Sequence, residues 1–175
     1  PESSPRLEEY VQRLFELRQR KGATLVEARK LLLQSRTVYG AMMVRMGDAD
    51  ALVCGISQHY PDTIRPALQI IQTRDDCTRV AGLFLMILKD KVYFFADTTV
   101  NIDPTAEELA EIAILTAEAA RRFNVVPRVA MLSFSNFGSV RHPAADKVRR
   151  ATEIVKKKVP DLMICLLYTS DAADE

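Results

Sequence analysis

The sequence predicts an α/β fold with a mainly parallel sheet and helices on both of its faces. Three observations predict this class: helical apolar spacing near the N-terminus, short continuous apolar runs further on, and helices that alternate with those runs. Continuous apolar runs are typical of strands buried on both faces, and alternation with helices is typical of parallel sheets.

Three helices are predicted in the first 46 residues. One apolar stripe predicts a helix over residues 6–20, which Gly22 ends. That stripe consists of Leu7, Tyr10, Val11, Leu14 and Leu17. A capping box of Thr24 with Glu27 opens the second helix, and the third is expected at residues 37–46.

A short buried strand is predicted at residues 51–54, after a turn at residues 47–50. Asp62 is then expected to cap a helix that continues to about residue 71. Pro66 is compatible with this helix only in its first turn, where no backbone donor is needed. Arg65 would therefore lie near the positive end of the helix dipole, where a cation is disfavoured unless an anion is close.

The pattern changes after residue 79, where two apolar runs at residues 80–88 and 92–96 predict a buried antiparallel hairpin. A second capping box, Thr105 with Glu108, opens the longest helix. A strand at residues 128–132 and a helix at residues 143–158 follow. The change from helices to strands near residue 76 is a candidate domain boundary.

A polar loop joins that last strand to that last helix. Ser133, Ser135, Asn136 and Ser139 could donate hydrogen bonds there, close to the unpaired backbone N–H groups of the helix N-terminus. An anion or phosphate site is one interpretation of this loop. The other is that Gly138 supplies a turn and the serines satisfy the loop backbone.

Composition sets looser limits. The 24 Lys and Arg residues nearly balance the 23 Asp and Glu residues, for a net charge of +1, which argues against nucleic acid and against a polybasic membrane patch. Three scattered cysteines indicate neither a disulfide framework nor a zinc site. No apolar run is long enough for a membrane span, and a cytoplasmic location is expected. No metal site is predicted.

Several motifs resemble one family, the phosphotransacetylases, and specifically the phosphotransacetylase-like C-terminal domain of bacterial NADP-dependent malic enzymes. The motifs are HYPDTIRP, ADTTVNIDPTAEELAEIA, PRVAMLS and SNFGS, in the family's order. The resemblance implies an isocitrate/isopropylmalate dehydrogenase-like phosphotransacetylase fold, incomplete at both ends. Residues 1–76 would belong to the first subdomain and residues 77–164 to the second.

The resemblance also implies a ligand. Arg18 and Arg65 match arginines that the family uses around coenzyme A and phosphate, so acetyl-CoA or CoA is the expected ligand, with the loop serines and Asn136 as further contacts. A parent malic enzyme would oxidise and decarboxylate malate in a catalytic domain in cis, and it is expected to form a homo-oligomer. NADP and a divalent metal would bind only in that domain, since no two of the six glycines form a G-x-G fingerprint here.

The departures from the family pattern bear on activity. Active phosphotransacetylases carry a serine-rich loop at the positions that here hold Gln58, His59, Tyr60 and Pro61. The family's catalytic Ser, Arg and Asp fall beyond residue 175. No catalytic residue is therefore assigned, and the fragment is not expected to catalyse acetyl transfer. Three hypotheses follow: a regulatory acetyl-CoA-sensing domain, a stand-alone phosphate acetyltransferase, or a structural dimerisation module without a ligand.

Residues 165–175, which read CLLYTSDAADE, resemble translated sequencing-adapter sequence. They are expected to be non-biological and to add nothing to the fold.

Overall fold

The chain forms two compact units that divide between Asp76 and Cys77. The computed structural model describes residues 1–135 and 141–166. Over these ranges the first unit is helical, and the second combines two helices with two small sheets. The predicted α/β class is thus confirmed. Among the described helices, none has the length and apolar character that crossing a membrane requires.

Three helices build most of the first unit: α1 (Leu7–Arg18), α2 (Leu25–Gln34) and α3 (Arg36–Arg45). They confirm the three predicted helices. A 3-10 turn follows α1 and closes at Gly22, whose φ of +85° is a left-handed conformation that glycine adopts without steric cost. The predicted capping box on α2 is present in both directions between Thr24 and Glu27.

One apolar cluster holds these helices together. Its central side chains are Leu32 on α2 and Met42 on α3, both fully buried, and Leu14 on α1, which is 2% exposed. Truncating a buried leucine to alanine typically costs 2–5 kcal/mol. The orientation of α1, which carries Arg18, therefore depends on this cluster.

A polar network adds a second link between α1 and the end of α3. Tyr10 donates its hydroxyl to Asp48, and Arg6 donates to the same carboxylate at 2.6 Å. Burial, followed by the hydrogen bond to Asp48, raises the pKa of Tyr10 to about 12. The neutral phenol is therefore the form that the folded unit favours.

The strand predicted at residues 51–54 is wrong. This segment has no regular secondary structure, and Val53 is 97% exposed. Leu52 anchors it instead, because a Cβ built at Gly40 of α3 would lie 2.6 Å from Leu52 Cδ1. Four apolar residues form a buried strand only with a neighbouring strand, and none pairs here within the described residues.

In the second unit, β1 (Leu83–Leu88) and β2 (Lys91–Ala96) form the predicted antiparallel hairpin. The expectation that both strands are buried is wrong: every residue of β1 is exposed. Phe94 packs against Phe123 with ring centroids 5.8 Å apart, on the face that lies toward the following helix. Lys89, in the two-residue turn, has a φ of +53°.

Helix α4 (Tyr60–Pro66) also lies in the first unit. The remaining elements of the second unit are α5 (Ala106–Arg122), β3 (Arg128–Met131), α6 (Pro143–Lys158) and β4 (Met163–Leu166). The capping box on α5 and the predicted bounds of α6 are confirmed. Helices α5 and α6 pack with strands β3 and β4 around an apolar cluster that includes fully buried Val155. Within the described residues the strands form two separate pairs, one parallel and one antiparallel, rather than one larger sheet.

The parallel pair corrects a prediction about the C-terminus. Ala130 pairs with Cys165 and Met131 with Leu166, and Leu166 packs against the cluster. Excluding residues 165–175 from the fold is therefore wrong for these two residues. Residues 167–175 lie outside the described residues.

Candidate functional site

Arg65 lies on α4 (Tyr60–Pro66), and its position in the helix differs from the prediction. The helix begins at Tyr60 with His59 as its N-cap, two residues before Asp62, and places Arg65 in its last turn. The argument from the positive end of the dipole is therefore wrong.

Pro66 sits inside this helix rather than in its first turn. The next turn, Ala67–Ile71, widens to π-helical spacing, with Gln72 N bonded to Ala67 O at 3.1 Å. π-Helical turns of this kind often lie at functional sites.

Arg65 is exposed on this helix. Within the described residues no carboxylate or other group pairs with its guanidinium. A free planar guanidinium is suited to bidentate binding of phosphate oxygens.

The guanidinium of Arg18 also lacks a partner among the described residues. It is the last residue of α1 and is half-buried, with no hydrogen bond or ion pair to any described residue. Arg13, one turn earlier, is instead paired with Glu16 at 2.9 Å. The two arginines that carry the resemblance thus both have open guanidinium groups, whereas their neighbour has a carboxylate partner.

The two arginines lie on different helices of the same unit. Helix α1 packs against α2, while α4 packs against α3. No hydrogen bond joins the two side chains, since each lacks a partner among the described residues. The arrangement makes both available to anions without fixing that they bind the same one.

The loop that enters α4 is held by a side-chain contact. Thr37, buried on α3, donates its hydroxyl to Gln58 Oε1 at 2.7 Å. Gly55, with a φ of +120°, turns the chain back toward Thr63 of α4. Gln58 is consequently engaged with the protein, while the side chains of His59, the N-cap, and Tyr60, the first residue of α4, are exposed.

Sequence reasoning missed Thr63, which lies within the DTIRP motif. Its Oγ1 is buried without a hydrogen-bond partner among the described residues. A buried hydroxyl without a partner is unusual, because its desolvation is then uncompensated. The signal that could have found it is its position two residues before Arg65 on the same short helix.

In the loop after β3 of the second unit, the Ser133 side chain bonds the loop backbone. Ser133 Oγ donates to Ser135 O at 3.0 Å and accepts from Ser135 N at 3.2 Å. Ser135 itself is 5% exposed. The Ser133 hydroxyl proton is thus committed to the loop backbone, which fits the second interpretation given above. The predicted contacts Asn136 and Ser139, and Gly138, lie outside the described residues.

The N-terminus of α6 is also capped from within. His142 Nδ1 accepts from Ala144 N at 3.2 Å, and the imidazole packs edge-on against Phe134 with centroids 5.2 Å apart. Asp146 adds a carboxylate in the first turn. These groups already complement part of the positive helix end.

In the part of the chain that the structure describes, no group of three or more His, Cys, Asp or Glu side chains is arranged to hold an ion.

Comparison with known proteins identifies the family of the chain. A family model described as phosphate acetyl/butaryl transferase matches residues 1–173. The chain belongs to this family. Among solved structures, a phosphotransacetylase from Streptococcus pyogenes superimposes with a TM-score of 0.86 and 44% sequence identity, over 99% of this chain and 53% of that one. The fold is therefore that of the phosphotransacetylases, as the resemblance implied.

Two kinds of curated relative match almost equally well. A phosphate acetyltransferase from Synechocystis is 43% identical over 94% of this chain, and an NADP-dependent malic enzyme from Escherichia coli is 41% identical over 98%. In both comparisons the chain spans only 23% of the relative's length. It spans 53% of the phosphate acetyltransferase from Bacillus subtilis. Membership of the family is thus shared by proteins with two different names.

Proposed function

We propose that this chain is part of a regulatory phosphotransacetylase-like domain that binds acetyl-CoA and oligomerises within an NADP-dependent malic enzyme. The parent would convert malate to pyruvate and CO2 with formation of NADPH, in a separate catalytic domain in cis. Residues 1–76 and 77–164 would be parts of the two subdomains. Support comes from the malic enzyme relative, from the open guanidinium groups of Arg18 and Arg65, and from the loop before α4.

The residues of that loop support a role in ligand binding rather than in catalysis. Phosphoryl and acyl transfer need donors that are preorganised around the developing charge. Gln58 is instead tied to Thr37, and His59 and Tyr60 are bulky and exposed. At these three positions the chain has an amide, an imidazole and a phenol in place of the serine hydroxyls that would surround a reacting phosphate.

A stand-alone phosphate acetyltransferase is the second candidate, and relatives of that name favour it. Such a protein would move an acetyl group between CoA and phosphate. A structural dimerisation module without a ligand is the third, and it would leave the two arginines without a role.

Calorimetric titration of acetyl-CoA tests the binding role. Arg65→Ala should weaken binding by ~1.5 to 3 kcal/mol, the range for a charge-assisted hydrogen bond, which is about 10- to 150-fold in affinity. Arg18→Ala should act in the same direction if it contacts the same ligand. Arg13→Ala is the matched control, because that arginine lies on α1 but pairs with Glu16. Equal affinity of wild type and Arg65→Ala would favour the structural module.

An acetyl phosphate assay on the complete parent protein separates the first two candidates. The regulatory proposal expects negligible formation of acetyl phosphate from acetyl-CoA and phosphate. Turnover at about 1 per second or faster, an ordinary enzymatic rate, would instead establish the transferase.

A further inference from the structure

Both histidines of this chain occupy N-cap positions, but only one of them caps its helix with the side chain. His59 precedes α4 and makes no side-chain bond to it, whereas His142 Nδ1 accepts a hydrogen bond from Ala144 N of α6 at 3.2 Å. Serine, threonine, aspartate and asparagine are the usual side-chain caps. An imidazole differs from them because its acceptor nitrogen can take up a proton near neutral pH.

The bond to Ala144 requires the neutral imidazole. A ring nitrogen accepts a hydrogen bond only through its lone pair, so Nδ1 must be unprotonated and the ring proton must lie on Nε2. In the imidazolium both nitrogens are donors, and Nδ1 would then face the Ala144 N–H, which is a donor as well. The added positive charge would also lie at the positive end of α6, where cations are disfavoured. Protonation therefore removes the cap.

A ring contact holds the imidazole in this orientation. His142 packs edge-on against Phe134, with the ring centroids 5.2 Å apart and an angle of 83° between the ring planes. Phe134 lies in the loop after β3, so the imidazole connects that loop with the first turn of α6. Further along the helix, Val148 and Ala151 are buried in the apolar cluster. The body of α6 thus has an attachment to the core that does not involve the cap.

The charged groups next to this imidazole along the chain are either paired or carry a positive charge themselves. Arg141 precedes it, and Asp146 in the first turn of α6 is paired with Arg149 at 2.6 Å. Lys147 is paired with Asp103 at 2.5 Å. The stretch that leads from β3 to the imidazole contains no charged or titratable side chain. No described carboxylate pairs with the ring, so no ion pair would compensate for loss of the cap.

We propose that His142 is a pH-sensitive cap, which holds the first turn of α6 to the loop after β3 while its imidazole is neutral and releases that turn when Nδ1 is protonated. Solvent supplies the proton, because the side chain is exposed. The stabilisation is complete at about pH 8 and is lost as the pH falls toward 5, the range in which histidine changes its charge. The rest of α6 stays folded in both forms, because its buried residues keep their contacts.

Amide NMR spectra of the whole chain between pH 8 and 5 test this release. In the wild type, the Ala144 amide signal should shift with the same midpoint as the ring signals of His142. In His142→Asn, whose side-chain oxygen can cap the helix at every pH, the Ala144 signal should stay in place. His59→Asn is the matched control, because His59 is an N-cap without the side-chain bond. In that variant Ala144 should titrate as in the wild type.

Urea denaturation of the same three proteins measures the effect on stability. Between pH 8 and 5, the ratio of folded to unfolded protein should fall about fivefold more in the wild type and in His59→Asn than in His142→Asn, the factor for one lost cap. Either of two results would overturn the proposal. One is an Ala144 signal that does not follow the His142 ring, and the other is an equal dependence of stability on pH in the wild type and His142→Asn.

Discussion

Replacing Tyr10 by phenylalanine should remove a specific loss of stability at alkaline pH. Tyr10 is 2% exposed, and its hydroxyl donates to Asp48. Its pKa is about 12 in the folded unit, against 10.0 for an ordinary tyrosine. Because the folded state raises this pKa, the contribution to stability is complete below pH ~10 and is lost as the pH rises through the folded value of about 12.

The magnitude follows from the size of the shift. Two pKa units correspond to at most ~2.7 kcal/mol of unfolding free energy. The Asp48 side chain is 24% exposed and that of Arg6 is 42% exposed, so solvent screens part of this interaction. We expect ~1 to 2 kcal/mol.

Urea denaturation of wild type and Tyr10→Phe between pH 8 and 11.5 measures this difference. The wild-type advantage should be constant to about pH 9.5 and should shrink at higher pH. Other tyrosines and lysines titrate in both proteins, so their contributions cancel in the comparison. A difference that stays constant to pH 11.5 would refute the assigned interaction between Tyr10 and Asp48.

Three further predictions concern local stability, each measured by urea or thermal denaturation. Lys89→Gly should stabilise the second unit by ~1 kcal/mol, because Lys89 has a φ of +53° in the hairpin turn, and no gain would contradict that conformation. Thr105→Ala should cost ~1 kcal/mol by removing the cap of α5, whereas Thr105→Ser should retain most of the stability. A chain ending at Ile164 should melt several degrees below one ending at Leu166, because β4 then loses two residues paired with β3; equal melting temperatures would show that this pairing is not stabilising.

Elements encoded by neighbouring residues were predictable from the sequence. Both capping boxes were identified from the T-x-x-E pattern, since the Thr and Glu side chains bond backbone groups only three residues away. The hairpin and α6 were likewise marked by their turn residues and by the leading proline. In each case the decisive contact lies within a few positions along the chain.

Burial and strand pairing were not predictable in the same way. The apolar run of β1 was expected to be buried, yet all its residues are exposed, and residues 51–54 form no strand. An apolar run shows that a segment can be buried, but the partner that covers it comes from distant sequence. Cys165 and Leu166 are excluded on their resemblance to adapter sequence, and their pairing with strand residues about 35 positions earlier is a contact that the sequence alone does not show.

The candidate site residues were also only partly predictable from the sequence. The sequence identifies Arg18 and Arg65 through motifs, but it does not show that both lack a carboxylate partner among the described residues. Arg13 has Glu16 at the favourable i, i+3 spacing, whereas no described residue pairs with Arg18.

An arginine without a partner offers its full hydrogen-bonding fork to an anion, because no existing ion pair must be broken first. Binding by such arginines does not require the preorganised donors that catalysis needs, so a domain can retain its ligand after losing turnover. The proposed regulatory function rests in part on the contact between Gln58 and Thr37, in the loop that enters the helix of Arg65. The same family fold can thereby serve as a sensor in one protein and as an enzyme in another.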